Sequence, residues 1–296
     1  MRGHANLMPV SPDPFSPIGV FDSGLGGLSV VRQLRTELPR ESILYIADSR
    51  YCPYGVRDEA EIRERTCLLV SRLVQLGAKL IVVACNTASA ASIEMLRESM
   101  EVPIVAMEPA VKPAMTLTVT GKVAILATPR TAASARLRRL IDRYGGGIDV
   151  RAIGIPGLAD CVETGDMAGP EVERLLEPIV PQLIADGVDV LVLGCTHYPF
   201  VEAVIRKLAG PAIRIVDSGN AVARRTRELL IKEELLAGIG ARPTFTMWTT
   251  GSPAAVGPIA TGMLGETVVA QGLGSVAITG LPVVHGIVEE GSQVVG

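Results

Sequence analysis

Eight short runs of Val, Ile, Leu and Ala punctuate the chain, at 18–21, 43–47, 80–83, 104–106, 123–127, 150–153, 188–193 and 213–216. Each is too short for a core helix and lacks the alternation of a half-solvated strand, so each reads as a strand buried on both faces. Between them the apolar residues fall at helical spacing. Strands of this kind alternating with helices predict an α/β fold of doubly wound parallel sheets. Helix starts are marked by Thr87 or Ser89 ahead of 93–100, by Ser134 ahead of an Arg-rich helix, and by Pro199 at a first helical position.

The pattern is duplicated. GVFDSGLGGLSVVRQL aligns with VAILATPRTAASARLRRL, and VPIVAMEPAV aligns loosely with IRIVDSGNAV. The interval from Asp22 to Cys85 nearly equals that from Thr128 to Cys195, and Cys85 to Glu108 nearly equals Cys195 to Asp217. This period far exceeds the roughly 20–50 residues of solenoid repeats, so it predicts two similar, pseudo-symmetric α/β domains with a cleft between them. The expected partition is discontinuous, with 18–110 and 217–280 in the first domain and 111–216 in the second. Residues 1–17 are expected to be a disordered extension, and 281–296 a tail or an added edge strand.

Length and charge agree with this picture and remove some alternatives. A chain of 296 residues suits two domains. A net charge of −3 without a basic run argues against a nucleic-acid partner. Arg136, Arg138, Arg139 and Arg143 do cluster, and read as a solvated helix face. Five cysteines without a CxxC pair fit reduced thiols in the cytoplasm. Residues 1–17 lack the apolar core of ~7–15 residues that a signal peptide needs, and no run reaches the ~18 apolar residues of a membrane span.

Candidate chemistry sits at the strand tips, where parallel α/β sheets bind ligands. Asp22, Ser23, Cys85, Asn86, Thr87, Thr128, Cys195, Thr196 and His197 all follow predicted strands. A single cysteine there would be a small buried hydrophobe. Two at equivalent positions, each ahead of a helix start that lowers a thiol pKa, point to acid–base chemistry from two sides. Asp22 is a further site candidate rather than only a turn cap. The run Gly24-x-Gly26-Gly27 lacks the third glycine of a dinucleotide fingerprint, and a backbone nest for a carboxylate suits it better. His197 can exchange protons with Cys195. Cys85, Cys195 and His197 can also be read as zinc ligands, a weaker reading because one ion would consume both thiols. Cys52, Cys67 and Cys161 have no counterpart in the repeat and read as packing residues. No lysine stands at the strand tips to hold pyridoxal phosphate, so neither cofactor nor metal is expected. A two-domain binding protein closing on an amino acid is the rival from another class.

At GVFDSGLGGLSV (19–30), CPYG (52–55), VACNTASA (83–90), VETG (162–165) and GCTHYP (194–199), the chain resembles the glutamate racemases. The resemblance spans about residues 18–265. It implies cofactor-independent interconversion of L- and D-glutamate for peptidoglycan synthesis, by a homodimer. By the same resemblance Cys85 and Cys195 are the two acid–base residues, with Asp22 supporting Cys85 and His197 and Glu163 supporting Cys195. Ser23, Tyr54, Gly55, Asn86, Thr87, Thr128, Thr131 and Thr196, together with Asp22 and His197, are implied to hold the substrate. Related enzymes act on aspartate, hydantoins or maleate with a similar pair of cysteines, which leaves these as alternative substrates.

Overall fold

The computed structural model describes residues 13–273, whose ten strands form two sheets. Strands β1 (Ile18–Asp22), β2 (Ile43–Ala47), β3 (Leu80–Val83) and β4 (Ile104–Ala106) come from the first part of the chain. They are followed by β5 (Lys122–Ala127), β6 (Asp149–Gly154), β7 (Val190–Leu193) and β8 (Arg214–Val216), and then by β9 (Phe245–Thr249) and β10 (Ala270–Gly272). One sheet has the order β10-β9-β2-β1-β3-β4 and the other β6-β5-β7-β8, with every pairing parallel.

The duplication is visible in these orders. β2-β1-β3-β4 and β6-β5-β7-β8 are the same arrangement, so β1 corresponds to β5 and β3 to β7. In both, the chain steps from the inner strand to one side and then crosses to the other. Such a reversal opens a crevice at the strands' carboxyl ends. After β8 the helix Gly219–Lys232 packs along the helix Leu28–Glu37, which carries the chain back to the first sheet.

The missing alternation in the strand sequences follows from this burial. Every residue of β1, β2, β3 and β7 is buried, because helices cover both faces of the sheets. β6 and β8 are edge strands and retain exposed positions. The largest apolar cluster joins the halves, running from Val20, Leu28 and Leu34 to Leu191, Leu193 and Tyr198. At ~1.5–3 kcal/mol for each fully buried side chain of this size, it holds the two halves together.

Two expectations need correction. The segment 1–17 is not structureless throughout. Asp13 accepts from the N–H groups of Phe15 and Ser16, and Lys79 Nζ donates to the Pro14 carbonyl at 2.6 Å. Lys79 is fully buried and also meets Glu41 at 2.6 Å. The rest of that extension and the tail at 281–296 lie outside the described residues. Arg136 is not solvated either, since it pairs with Glu108 and approaches Glu94 from the helix Ala135–Tyr144.

Candidate active site

The crevices of the two sheets face each other. Asp22 ends β1, Cys85 follows β3 by two residues, Thr128 follows β5 directly, and Cys195 follows β7 by two. Between them is a small, nearly closed pocket lined by Ser23, Tyr54, Gly55, Cys85, Asn86, Thr87, Thr128, Cys195, Thr196 and His197, with Pro53, Ala159 and Gly194. Asp22, Thr131 and Glu163 stand behind this lining and bond to it.

On the first side, Cys85 caps the helix Asn86–Ser99. Its sulfur accepts from Ala88 N–H at 3.4 Å and its thiol donates to Ser23 Oγ at 3.4 Å. The cap is therefore the cysteine itself rather than Thr87 or Ser89. Asp22 is wholly buried, taking the Gly24 N–H at 2.9 Å and the Thr196 hydroxyl at 3.0 Å. Asn86 Oδ1 is buried and unpartnered among the described residues.

On the second side, Cys195 Sγ lies 3.6 Å from His197 Nδ1, and His197 Nε2 lies 2.6 Å from Glu163 Oε1. Glu163 closes the helix Leu158–Glu163, and its carboxylate also accepts from Leu25 N–H at 2.5 Å, reaching the first half. The segment after Cys195 forms only a 3₁₀ turn, Tyr198–Val201, before the helix Glu202–Ala209. The expected match of two thiols at two helix starts thus holds for Cys85 alone.

A ring of hydroxyls closes the cleft. Thr87 Oγ1 lies 3.1 Å from Thr128 Oγ1 and 3.0 Å from Thr131 Oγ1, which are 3.1 Å from each other. Ser29 Oγ adds a bond to the Thr196 carbonyl at 2.9 Å. Gly55 lies against Thr128 so closely that an added Cβ would collide with it. The Tyr54 hydroxyl turns away to Asp48 at 2.6 Å, which Arg65 and Thr250 also hold, so Tyr54 borders the cavity without offering its hydroxyl. Asp48 directly follows β2, beside Asp22 at the end of β1, and so carries a strand-tip signal of its own.

The glycines of DSGLGG serve close approach. None of Gly24, Gly26 and Gly27 has a left-handed φ. A Cβ on Gly26 would fall on the His197 imidazole, and one on Gly24 on the Glu163 carboxylate and the Cys52 sulfur. The loop does form a nest, but it holds the protein's own carboxylates, Asp22 and Glu163.

The electrostatics reverse one expectation. Burial pushes the Cys85 thiol up to about 12, the Asp22 charge adds to the rise, and the hydrogen bonds it shares with Ser23 and Ala88 oppose it without prevailing. The helix-terminus effect is real but smaller than desolvation. Asp22 is also raised, again mainly by burial. Burial works against a charged His197, yet hydrogen bonds to Cys195, Cys52 and Glu163 prevail and hold its pKa well above the usual imidazole value. In this closed form the first side thus carries a protonated thiol and the second a cationic imidazole bound to a carboxylate. Both can give a proton, and each has a group nearby that stabilises the partner state.

Cys52 belongs to this neighbourhood and not simply to packing, since its sulfur approaches both Glu163 and His197. The signal could not be local, because Glu163 and His197 lie more than a hundred residues away in sequence.

Residues 18–226 match the family model described as Asp/Glu/Hydantoin racemase. A glutamate racemase of Ectopseudomonas mendocina is 45% identical over 252 residues, covering 85% of this chain and 95% of that protein. Glutamate racemase isoform RacE1 from Bacillus anthracis superposes with a TM-score of 0.80 at 33% identity, covering 87% of this chain and 97% of that one. The Escherichia coli glutamate racemase in complex with L-glutamate and the activator UDP-MurNAc-ala superposes with a TM-score of 0.75 at 32% identity, over 87% and 97% of the two chains.

Proposed function

Since the chain belongs to the Asp/Glu/Hydantoin racemase family, and to its glutamate racemases, we propose that it interconverts L- and D-glutamate by proton transfer between two cysteines. One observation carries the reading. Cys85 and Cys195 stand at equivalent strand tips of the two halves and line one cavity, each with its own polar support.

One thiol, as thiolate, takes the α-proton, and the opposite thiol returns a proton to the other face of the planar carbanion. A single base would have to cross the substrate plane, whereas two facing bases need no such motion. General acid–base catalysis supplies about 10²–10⁴-fold, which is small against an unactivated α-proton. Preorganised donors on the developing enediolate add about 10²–10³-fold each, a role suited to the threonine hydroxyls and to the N-terminal end of the helix Asn86–Ser99. The unpartnered Asn86 Oδ1 is an acceptor for the substrate ammonium.

Cys85 needs help to ionise, because its thiol is raised by burial. The substrate ammonium, entering beside it, lowers that pKa by opposing the Asp22 charge and stabilising a thiolate. On the other side Glu163 and the imidazole orient the proton traffic of Cys195. We place the reaction in the cytoplasm, in keeping with five unpaired cysteines, with D-glutamate destined for peptidoglycan.

The test is incubation with L-glutamate alone in heavy water. Optical rotation should decay to zero, and the D-glutamate formed should carry solvent deuterium at Cα. Unchanged rotation would refute the activity, and product that retains the original α-hydrogen would refute the two-base route.

A further inference from the structure

Cys52, Glu163 and His197 reach one point from three separate stretches of the chain, the loop after β2, the end of the helix Leu158–Glu163 and the turn after β7. Their ligating atoms all lie within 4.8 Å of one another. Bonds of about 2.0–2.3 Å in a tetrahedral zinc site set ligand separations of roughly 3.3–3.8 Å, so shifts of about an ångström convert the cluster into a coordination sphere. A thiol, a carboxylate and an imidazole suit a borderline cation such as zinc and leave a fourth position open for water.

The surroundings favour such capture. Gly24, having no side chain, lets the Glu163 carboxylate and the Cys52 sulfur sit over its backbone. Leu25 N–H holds the Glu163 carboxylate in position, and the His197 Nε2–Glu163 Oε1 bond of 2.6 Å opens by about an ångström for a cation to take the place of the shared proton. The proposed proton transfer makes no use of the Cys52 thiol. Coordination requires the Cys52 thiolate and a His197 nitrogen free of its proton.

We propose that Cys52, Glu163 and His197 form a zinc site that switches the enzyme off by withdrawing His197 and Glu163 from Cys195. Capture of the metal stands on this geometry alone, whereas the inhibition rests on the reading of His197 as the support of Cys195. A bound cation fixes a ring nitrogen and the carboxylate together, and the pair can no longer exchange protons with the thiol.

The experiment uses the full-length protein, freed of metal, and Co²⁺ as a spectroscopic substitute for zinc. One equivalent of cobalt should produce a thiolate-to-cobalt charge-transfer absorption. Zinc should displace it and suppress racemisation in parallel, and EDTA should restore activity. Cys52→Ser should abolish the absorption while the metal-free variant still racemises glutamate. It should also weaken zinc inhibition by more than about tenfold, the low end of what even an outer-shell partner contributes. Cys195→Ala should keep the absorption. Persistence of the band in Cys52→Ser, its loss in Cys195→Ala, or full racemisation with the site loaded would overturn the proposal. A protein that takes up cobalt through Cys52 but racemises nothing even without metal would count against the glutamate reading and for the site.

Discussion

The Thr196 hydroxyl donates to Asp22 Oδ2 at 3.0 Å, tying the residue next to one thiol to the carboxylate that stands behind the other. The two sides of the cavity are therefore polarised by one connected network, although each thiol has its own support. Kinetics that read each proton transfer separately can show how far that separation holds.

Enantiomers have equal free energy in water, so kcat/KM must stay equal in both directions for any variant. Isotope effects are free of that constraint. If Cys85 is the thiol that acts on D-glutamate, Asp22→Asn should enlarge the α-deuterium effect on kcat/KM for D-glutamate and shrink it for L-glutamate. His197→Asn should do the opposite. Parallel changes in both variants would show that the Thr196 link makes the helpers a common unit.

Cys85→Ala and Cys195→Ala should each leave a folded protein whose racemisation falls by at least about 10²–10⁴-fold. Circular dichroism and optical rotation on the same samples check both halves of the statement. Near-normal turnover by either variant would refute a two-thiol mechanism.

Gly26→Ala tests the close approach of the loop to His197. The added Cβ would displace the imidazole, and a catalytic group moved by about 1 Å loses on the order of 10²-fold in rate. We expect kcat to fall by about that factor with the ring still protonatable. A variant with unchanged kcat would mean that His197 tolerates displacement and supports nothing.

The raised Cys85 thiol has a consequence for stability at high pH. With a folded value of about 12 against an ordinary 9.0, the native state holds the proton more tightly than the unfolded chain between those values. Stability is unaffected below about pH 9 and declines as pH rises toward 12. Cys85→Ala should flatten that decline in denaturant titrations. Iodoacetamide should label Cys85 of the substrate-free enzyme slowly at pH 8, where only about 10⁻⁴ of the thiol is ionised. Rapid labelling would contradict the burial argument.

The buried Lys79–Glu41 pair anchors residue 14 and the start of β1. Glu41→Ala leaves a buried cation without its counter-charge and should cost about 3–5 kcal/mol. The double change Lys79→Met, Glu41→Leu should cost much less. Equal losses in urea titrations would show that the pair is replaceable by water.

Strands β1, β3, β5 and β7 were legible because a strand buried on both faces must be apolar throughout, and the duplicated motifs at their ends named the residues that meet. Cys85, Cys195, Thr87, Thr128 and Thr196 are legible for the same reason, whereas Thr131 came only from the family resemblance. What was not legible depends on distances between segments far apart in sequence. The DSGLGG glycines are needed because Glu163, Cys52 and His197 pack over them. The thiol pKa of Cys85 is set by how deeply the packed fold buries it. Tyr54 looked available for substrate until Asp48 claimed its hydroxyl. Edge strand β10 carries too little apolar sequence to announce itself, since it gains its place by pairing with β9.

The three hydroxyls of Thr87, Thr128 and Thr131 form a clasp in which Thr128 donates to Thr131, while Thr87 can stand as donor or acceptor toward both. When the cleft parts, every hydroxyl can exchange a neighbour for water or a substrate carboxylate oxygen with its bond count intact. The halves are thus latched by contacts that any incoming polar ligand can replace one for one, and admission to the cavity requires no buried polar group to go unsatisfied.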